Sequence, residues 1–211
     1  MDVYGFNLSS EQYTVGVVTL SDQQGVGKGT SRNFVQIGWE VSPKTYGDSH
    51  THLGGLWTTD GYQKTGCPNA GCGFQPENGA PIALGGVIGT FSQLNGLKQT
   101  ITIKIIKDGI MGDWLVYYGL NQNDPALIGR YPRALFTGGM ADRASTIQLG
   151  GYVKTRTTNL APMGSGFLPT GDATASASIS NIQFIDQNGR ASLVSAGACT
   201  SNTRQGECRI Q

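Results

Sequence analysis

The stretch Gln99-Thr100-Ile101-Thr102-Ile103-Lys104-Ile105-Ile106-Lys107 alternates polar and apolar side chains almost strictly. Period two places Ile101, Ile103 and Ile105 on one face of an extended segment, a pattern that does not present one face of a helix. Similar short segments recur along the chain. Strands are expected at 13–20, 34–41, 53–58, 82–88, 99–107, 114–120, 128–131, 146–155 and 174–185. The turn region around Lys107-Asp108-Gly109 predicts a hairpin between 99–107 and 114–120 with a loop longer than two residues. No segment keeps a helical period for three turns; only Pro132 to Phe136 suggests a helical turn.

Composition supports this reading. The chain has 211 residues, 32 of them glycine, and 14% of its residues are charged. Many short strands joined by glycine-rich turns fit that profile. One all-β domain over 1–211 is expected, an antiparallel β-sandwich of two packed sheets. The polar stretches 21–32 and 159–173 are expected to be loops, and the tail 188–211 irregular and held by a disulfide.

The formal net charge is +1, so no electrostatic term favours nucleic acid or an anionic membrane. No apolar run approaches the roughly 20 residues of a spanning helix. Met1-Asp2-Val3-Tyr4 has neither the basic start nor the apolar stretch of a signal peptide, so Met1 is expected to open a mature domain whose upstream segments are missing. Four cysteines, Cys67, Cys72, Cys199 and Cys208, fall into two local pairs. The expected pairing is Cys67–Cys72 and Cys199–Cys208, out of three possible connectivities, in an oxidising compartment. Asn7-Leu8-Ser9 is a glycosylation sequon and agrees with secretion.

Several ordered motifs narrow the reading. Gln36-Ile37-Gly38-Trp39-Glu40-Val41-Ser42-Pro43 is followed by Tyr46-Gly47-Asp48 and by Trp57-Thr58-Thr59-Asp60-Gly61-Tyr62-Gln63-Lys64-Thr65-Gly66-Cys67. Further on come Lys107-Asp108, Gly112-Asp113-Trp114, Gly129-Arg130-Tyr131-Pro132, Ile147-Gln148-Leu149-Gly150-Gly151-Tyr152-Val153, Met163-Gly164-Ser165-Gly166 and Asn181-Ile182-Gln183. Together, across about residues 13–186, they resemble the neprosin family, plant-type secreted glutamic endopeptidases that cleave at proline. The resemblance implies a sandwich of two antiparallel sheets, with two glutamates facing one another across a cleft, one of them activating water as general base. Here Gln36 stands at the first glutamate position. Gln148 and Tyr152 stand at the two glutamates of the later segment, either of which is a candidate for the second catalytic position. Gln36 and Gln148 are expected to converge on one accessible cleft.

A neutral amide cannot take up a proton near neutral pH, and losing a general base costs roughly two to four powers of ten in rate. The chain is therefore expected to bind extended peptide through a degenerate site. Two alternatives stand beside this: an active hydrolase with a substitute carboxylate, and a cell-wall carbohydrate-binding or structural module. Glu40 shares a strand face with Gln36 and is read as an exposed carboxylate, with a substitute base as the rival role. Asp60 is read as a turn residue, again with a substitute acid as the rival role, and Trp39, Glu40, Trp57, Asp60 and Tyr62 are the expected substrate-binding residues. Trp39, Trp57, Tyr62 and Tyr152 form either an aromatic groove for a proline-containing peptide or a cell-wall glycan, or part of the core.

Asp48, His50 and His52 follow a D-x-H-x-H pattern that would share one face on a strand and offer metal ligands. The preferred reading is a polar strand edge or turn, and neither metal nor cofactor is assigned. Gly164-Ser165-Gly166 lacks the strand–elbow–helix context of a serine hydrolase. The loop 25–30 lacks the spacing of a phosphate-binding loop.

Overall fold

The computed structural model describes residues 1–22, 33–93, 96–168, 175–186 and 188–194, and the backbone of 200–202 and 207–210. The strands are β1 (Gln12–Asp22), β2 (Asn33–Val41), β3 (His52–Thr58), β4 (Cys67–Pro68), β5 (Gln75–Pro76), β6 (Ile101–Lys107) and β7 (Trp114–Leu120). They continue with β8 (Ala126–Tyr131), β9 (Thr146–Thr155), β10 (Gln183–Ile185), β11 (Ala191–Leu193), β12 (Thr200–Asn202) and β13 (Glu207–Ile210). One sheet has the order β12-β13-β9-β1-β2-β3-β4, a second the order β5-β8-β7-β6, and β10 and β11 form a separate pair. The named pairings are all antiparallel, and the fold is the expected all-β sandwich.

Alternation fixes which face of each strand is buried. On β2, Val35, Ile37, Trp39 and Val41 are all nearly inaccessible, while the intervening Phe34, Gln36 and Glu40 are only partly covered. These inward residues pack with Leu53 and Trp57 of β3 against Ile101, Trp114, Val116, Ile128 and Tyr131 of the smaller sheet. Full burial of each large apolar side chain contributes roughly 1.5–3 kcal/mol, so the core between the sheets dominates the favourable terms. Gly16 is required for this packing. A methyl group there would lie 2.6 Å from the Trp39 indole nitrogen, which donates to the Asp2 carbonyl at 2.9 Å.

The β6–β7 hairpin forms as expected, with its six-residue loop closed by Asp108, whose carboxylate accepts from the backbone N–H groups of Ile110 and Met111. The helical turn expected near Pro132 is the 3-10 turn Arg133–Leu135. A short helix α1 (Pro43–Tyr46), ended by Gly47 at φ 83°, was not anticipated.

Three expectations are corrected. Residues 82–88 are not a strand: the chain turns at Gly85, at φ 89°, and makes one isolated bridge beyond it, Val87 to His52. Of 174–185 only Gln183–Ile185 is extended within the described residues, and Asn181 precedes it in the left-handed region at φ 52°. The tail from 188 is not uniformly irregular: β13 pairs with β9 and widens the large sheet, and β11 pairs with β10. Cys67 and Cys72 form a disulfide as expected. The pairing expected for Cys199 lies outside the described residues, as does most of the loop 21–32. Asn7 is exposed, as a sequon requires. Among the described residues, no helix is long and apolar enough to cross a membrane.

Candidate functional site

The outer face of the large sheet carries the candidate site. Cross-strand register places its residues in rows, because directly opposed residues project to the same side. Gln148, Thr19, Gln36 and Leu56 form one row across β9, β1, β2 and β3. The next row is Gly150, Val17, Gly38 and Gly54, and the one beyond it Tyr152, Val15, Glu40 and His52. Three of four positions in the middle row lack side chains, and so a depression opens between the flanking rows. It is a cleft of about 210 Å³, floored by Val17, Gly38 and Gly54 and walled by Tyr13, Gln36, Glu40, Leu56 and Pro68.

Gln36 is held on both sides. Its Oε1 accepts from the Thr19 hydroxyl at 3.2 Å, and its Nε2 donates to the Tyr152 hydroxyl at 3.3 Å. Tyr152 also meets the Tyr13 hydroxyl at 3.0 Å, their rings packed edge to face at 5.6 Å. Burial, reinforced by Tyr152, pushes the Tyr13 hydroxyl above its ordinary range, so it stays a neutral donor. Gln36 and Tyr152 thus converge. Gln148 lies on the same face and in the same row as Gln36, two strands away at roughly 9–10 Å between backbones, and like Tyr152 it stands outside the lining of the cleft. Gln36 and Gln148 share one face and one row of the sheet, while Tyr152 reaches diagonally across β1 to bond Gln36.

Glu40 is not the exposed carboxylate expected. It lies over Gly54, where a methyl group would come within 2.8 Å of its carboxyl group, and it accepts a hydrogen bond from the Tyr46 hydroxyl. Asn69 Nδ2 in turn donates to Tyr46 at 2.9 Å. Burial raises the Glu40 pKa, opposed by the Tyr46 hydrogen bond and the nearby His52. Glu40 is the carboxylate that lines the cleft, facing Gln36 across the glycine row at about 13 Å between backbones.

The remaining sequence candidates divide. Trp39 and Trp57 are 2% and 6% exposed and belong to the core between the sheets; the Trp57 indole N–H donates to the Cys72 carbonyl. Their rings face the core, although Trp39 also borders the cleft. Asp60 uses its carboxylate within its own turn, accepting from the N–H groups of Gln63, Lys64 and Thr65 and from the Thr65 hydroxyl. Tyr62 is exposed, at φ 69°, with its ring against Phe34 one row beyond Gln36.

Asp48 and His50 are not on a strand, yet the turn after α1 brings them to His52 at the start of β3. The Asp48 Oδ1 lies 3.0 Å from His52 Nε2 and 3.2 Å from His50 Nδ1. The hydrogen bond from His52, then the His50 backbone N–H, hold Asp48 at about 2. The His52 ring stacks on Tyr46 at 3.7 Å.

Sequence reasoning missed Thr19, Tyr13, Tyr46 and the glycine floor. Thr19 and Tyr13 become visible only once β1 is registered against β2 and β9. Gly38, Gly54 and Gly150 share no local motif and meet only across the sheet. The neprosin family model matches this chain over residues 10–208, a span that holds every residue of the cleft.

Proposed function

Because the chain belongs to the neprosin family, we propose that it is a secreted domain derived from a proline-directed glutamic endopeptidase, catalytically degenerate and retaining a cleft that binds extended proline-containing peptide. One observation carries the reading: Gln36, which lines the cleft, and Tyr152, which meets it across β1, are an amide and a phenol hydrogen-bonded to each other. Tyr152 is then the counterpart of the second glutamate. Two carboxylates there would activate water and assist the carbonyl. An amide and a phenol hold hydrogen bonds but supply no carboxylate to activate water.

The cleft suits a backbone better than a bulky group. Its glycine floor lets a chain approach closely, and Gln36, Tyr13 and Tyr152 supply donors and acceptors for peptide groups. A proline-rich segment enters already extended, with little ordering cost. The disulfide Cys67–Cys72 agrees with an oxidising, extracellular location. Titration calorimetry with a proline-containing peptide, and mass spectrometry of the same mixture at acidic and neutral pH, tests the proposal. Saturable binding without cleavage is expected; cleavage that disappears with a cleft substitution overturns the degenerate reading.

Glu40 favours a second reading, an altered hydrolase. It lines the cleft and burial raises its pKa, as in carboxyl groups tuned for proton transfer. Its carboxyl is engaged by Tyr46 and set far from Gln36, which weighs against it. Proline-directed cleavage abolished by Glu40→Gln would establish this reading instead.

A further inference from the structure

The Asp48, His50 and His52 cluster is not used by the proposed peptide cleft, and its geometry is that of a ligand set. We propose that these three side chains bind a divalent transition-metal ion of the zinc class, through Asp48 Oδ1, His50 Nδ1 and His52 Nε2. The three ligating atoms all lie within 4.8 Å of one another. Asp48 Oδ1 stands 3.2 Å from His50 Nδ1 and 3.0 Å from His52 Nε2. Tetrahedral zinc with bonds of about 2.0–2.1 Å separates its ligand atoms by roughly 3.3 Å. Two of the three spacings therefore already approximate the geometry. The exposed His50 ring is free enough in space to adjust the third, its side chain being 68% accessible.

His52 carries the stronger part of the argument. Its side chain is only 6% exposed, and its Nδ1 lies 2.8 Å from the carbonyl oxygen of Gly85. A carbonyl only accepts, so Nδ1 keeps its proton, and the Nε2 proton that bonds Asp48 in the metal-free chain is the one the metal would replace. Metal-binding histidines are commonly oriented in this way, by a carbonyl on the far ring nitrogen. Stacking on Tyr46 fixes the ring plane as well. The Asp48 carboxylate is set by the His50 backbone N–H at 2.8 Å. Two imidazoles and one carboxylate suit zinc-class ions and not magnesium or calcium, which take mostly oxygen ligands. The fourth position faces solvent on the His50 side and would take water. Binding would clamp the turn after α1 to the start of β3, beneath Tyr46 and thus beside Glu40.

The test is calorimetric titration of the chelator-treated full chain with zinc chloride, with magnesium chloride as the comparison. One equivalent of zinc is expected to bind saturably, magnesium not at all, and zinc should raise the melting temperature. Replacing the buried His52 risks the fold, so the informative variants are His50→Ala and Asp48→Asn at the accessible side. Each should weaken zinc binding at least tenfold while leaving the zinc-free melting temperature close to that of the parent. The absence of saturable zinc binding overturns the proposal, as does zinc binding that His50→Ala leaves unchanged, since the ion would then be held elsewhere.

Discussion

The Gln36 side-chain amide donates to the Tyr152 hydroxyl across 3.3 Å, joining β2 to β9 over the intervening β1. Converting both positions to carboxylates places two acidic groups where an amide and a phenol now meet. The variant Gln36→Glu/Tyr152→Glu is expected to gain cleavage of proline-containing peptides by about 100-fold or more over the parent, the scale of a positioned general base. Gln36→Glu/Gln148→Glu should gain far less, because the pair that meets in the parent chain is Gln36 and Tyr152. Product analysis by mass spectrometry distinguishes the two. Equal gains would show that the later catalytic position is misassigned.

The glycine floor gives a second prediction, with opposite outcomes at neighbouring positions. A methyl group at Gly54 would first meet the Glu40 side chain, at 2.8 Å, and not backbone. Gly54→Ala should fold, losing about 1 kcal/mol or less, while weakening peptide binding about tenfold by raising the floor and displacing Glu40. A methyl group at Gly38 would instead lie 2.0 Å from the Gly16 carbonyl oxygen, in the backbone of the neighbouring strand. Gly38→Ala should cost about 3 kcal/mol or more, at the upper end of overpacking effects. Chemical denaturation and calorimetry on the two variants separate these effects.

These predictions depend on tertiary relationships that local pattern conveys unevenly. Strands β2, β7 and β9 are legible because each alternates between a core and an open face, and their ends coincide with turn residues. The 82–88 stretch has the apolar content of a strand, but Gly85 needs only its own φ to break it. β13 was invisible because its support is pairing with β9 and not a pattern of its own. The same limit separates site residues. Trp39 and Trp57 lie on the odd-numbered, inward face of β2 and β3, so the parity that exposes Gln36 buries them. The D-x-H-x-H pattern implies convergence only if it is a strand, and the sequence favours a polar strand edge or turn. The convergence is real, but a left-handed Gly47 and the turn after α1 produce it.

Glu40 should make stability depend on pH. Burial raises its folded-state pKa above the ordinary glutamate value, so the folded state holds the proton more tightly than the unfolded chain. The contribution is fully present below the unfolded value of about 4.3 and is lost as pH rises through the folded value. Glu40→Gln removes the charge and keeps an oxygen to accept from Tyr46. The variant should melt at a higher temperature than the parent at pH 7, and its advantage should vanish below about pH 4. Melting curves across this range check the sign. A variant less stable at pH 7 would show that the ionised Glu40–Tyr46 bond outweighs desolvation.

The disulfide supports the cleft from the edge of the sheet. Cys67–Cys72 closes a short loop immediately after the turn that Asp60 organises, and Cys67 and Pro68 form β4 at the sheet edge. Pro68 pairs with Leu56 and walls the cleft, while the Cys72 carbonyl receives the Trp57 indole N–H. Removing the bond frees a small loop in the unfolded chain, worth about 2 kcal/mol in the loop-closure relation. It also loosens the wall. Cys67→Ser/Cys72→Ser should therefore lower stability by about 2 kcal/mol and weaken peptide binding more than a purely global loss would, since the folded fraction stays near unity at 25 °C. Binding measured well below the melting temperature separates the two effects. Unchanged affinity alongside reduced stability would mean that β4 holds its place without the crosslink.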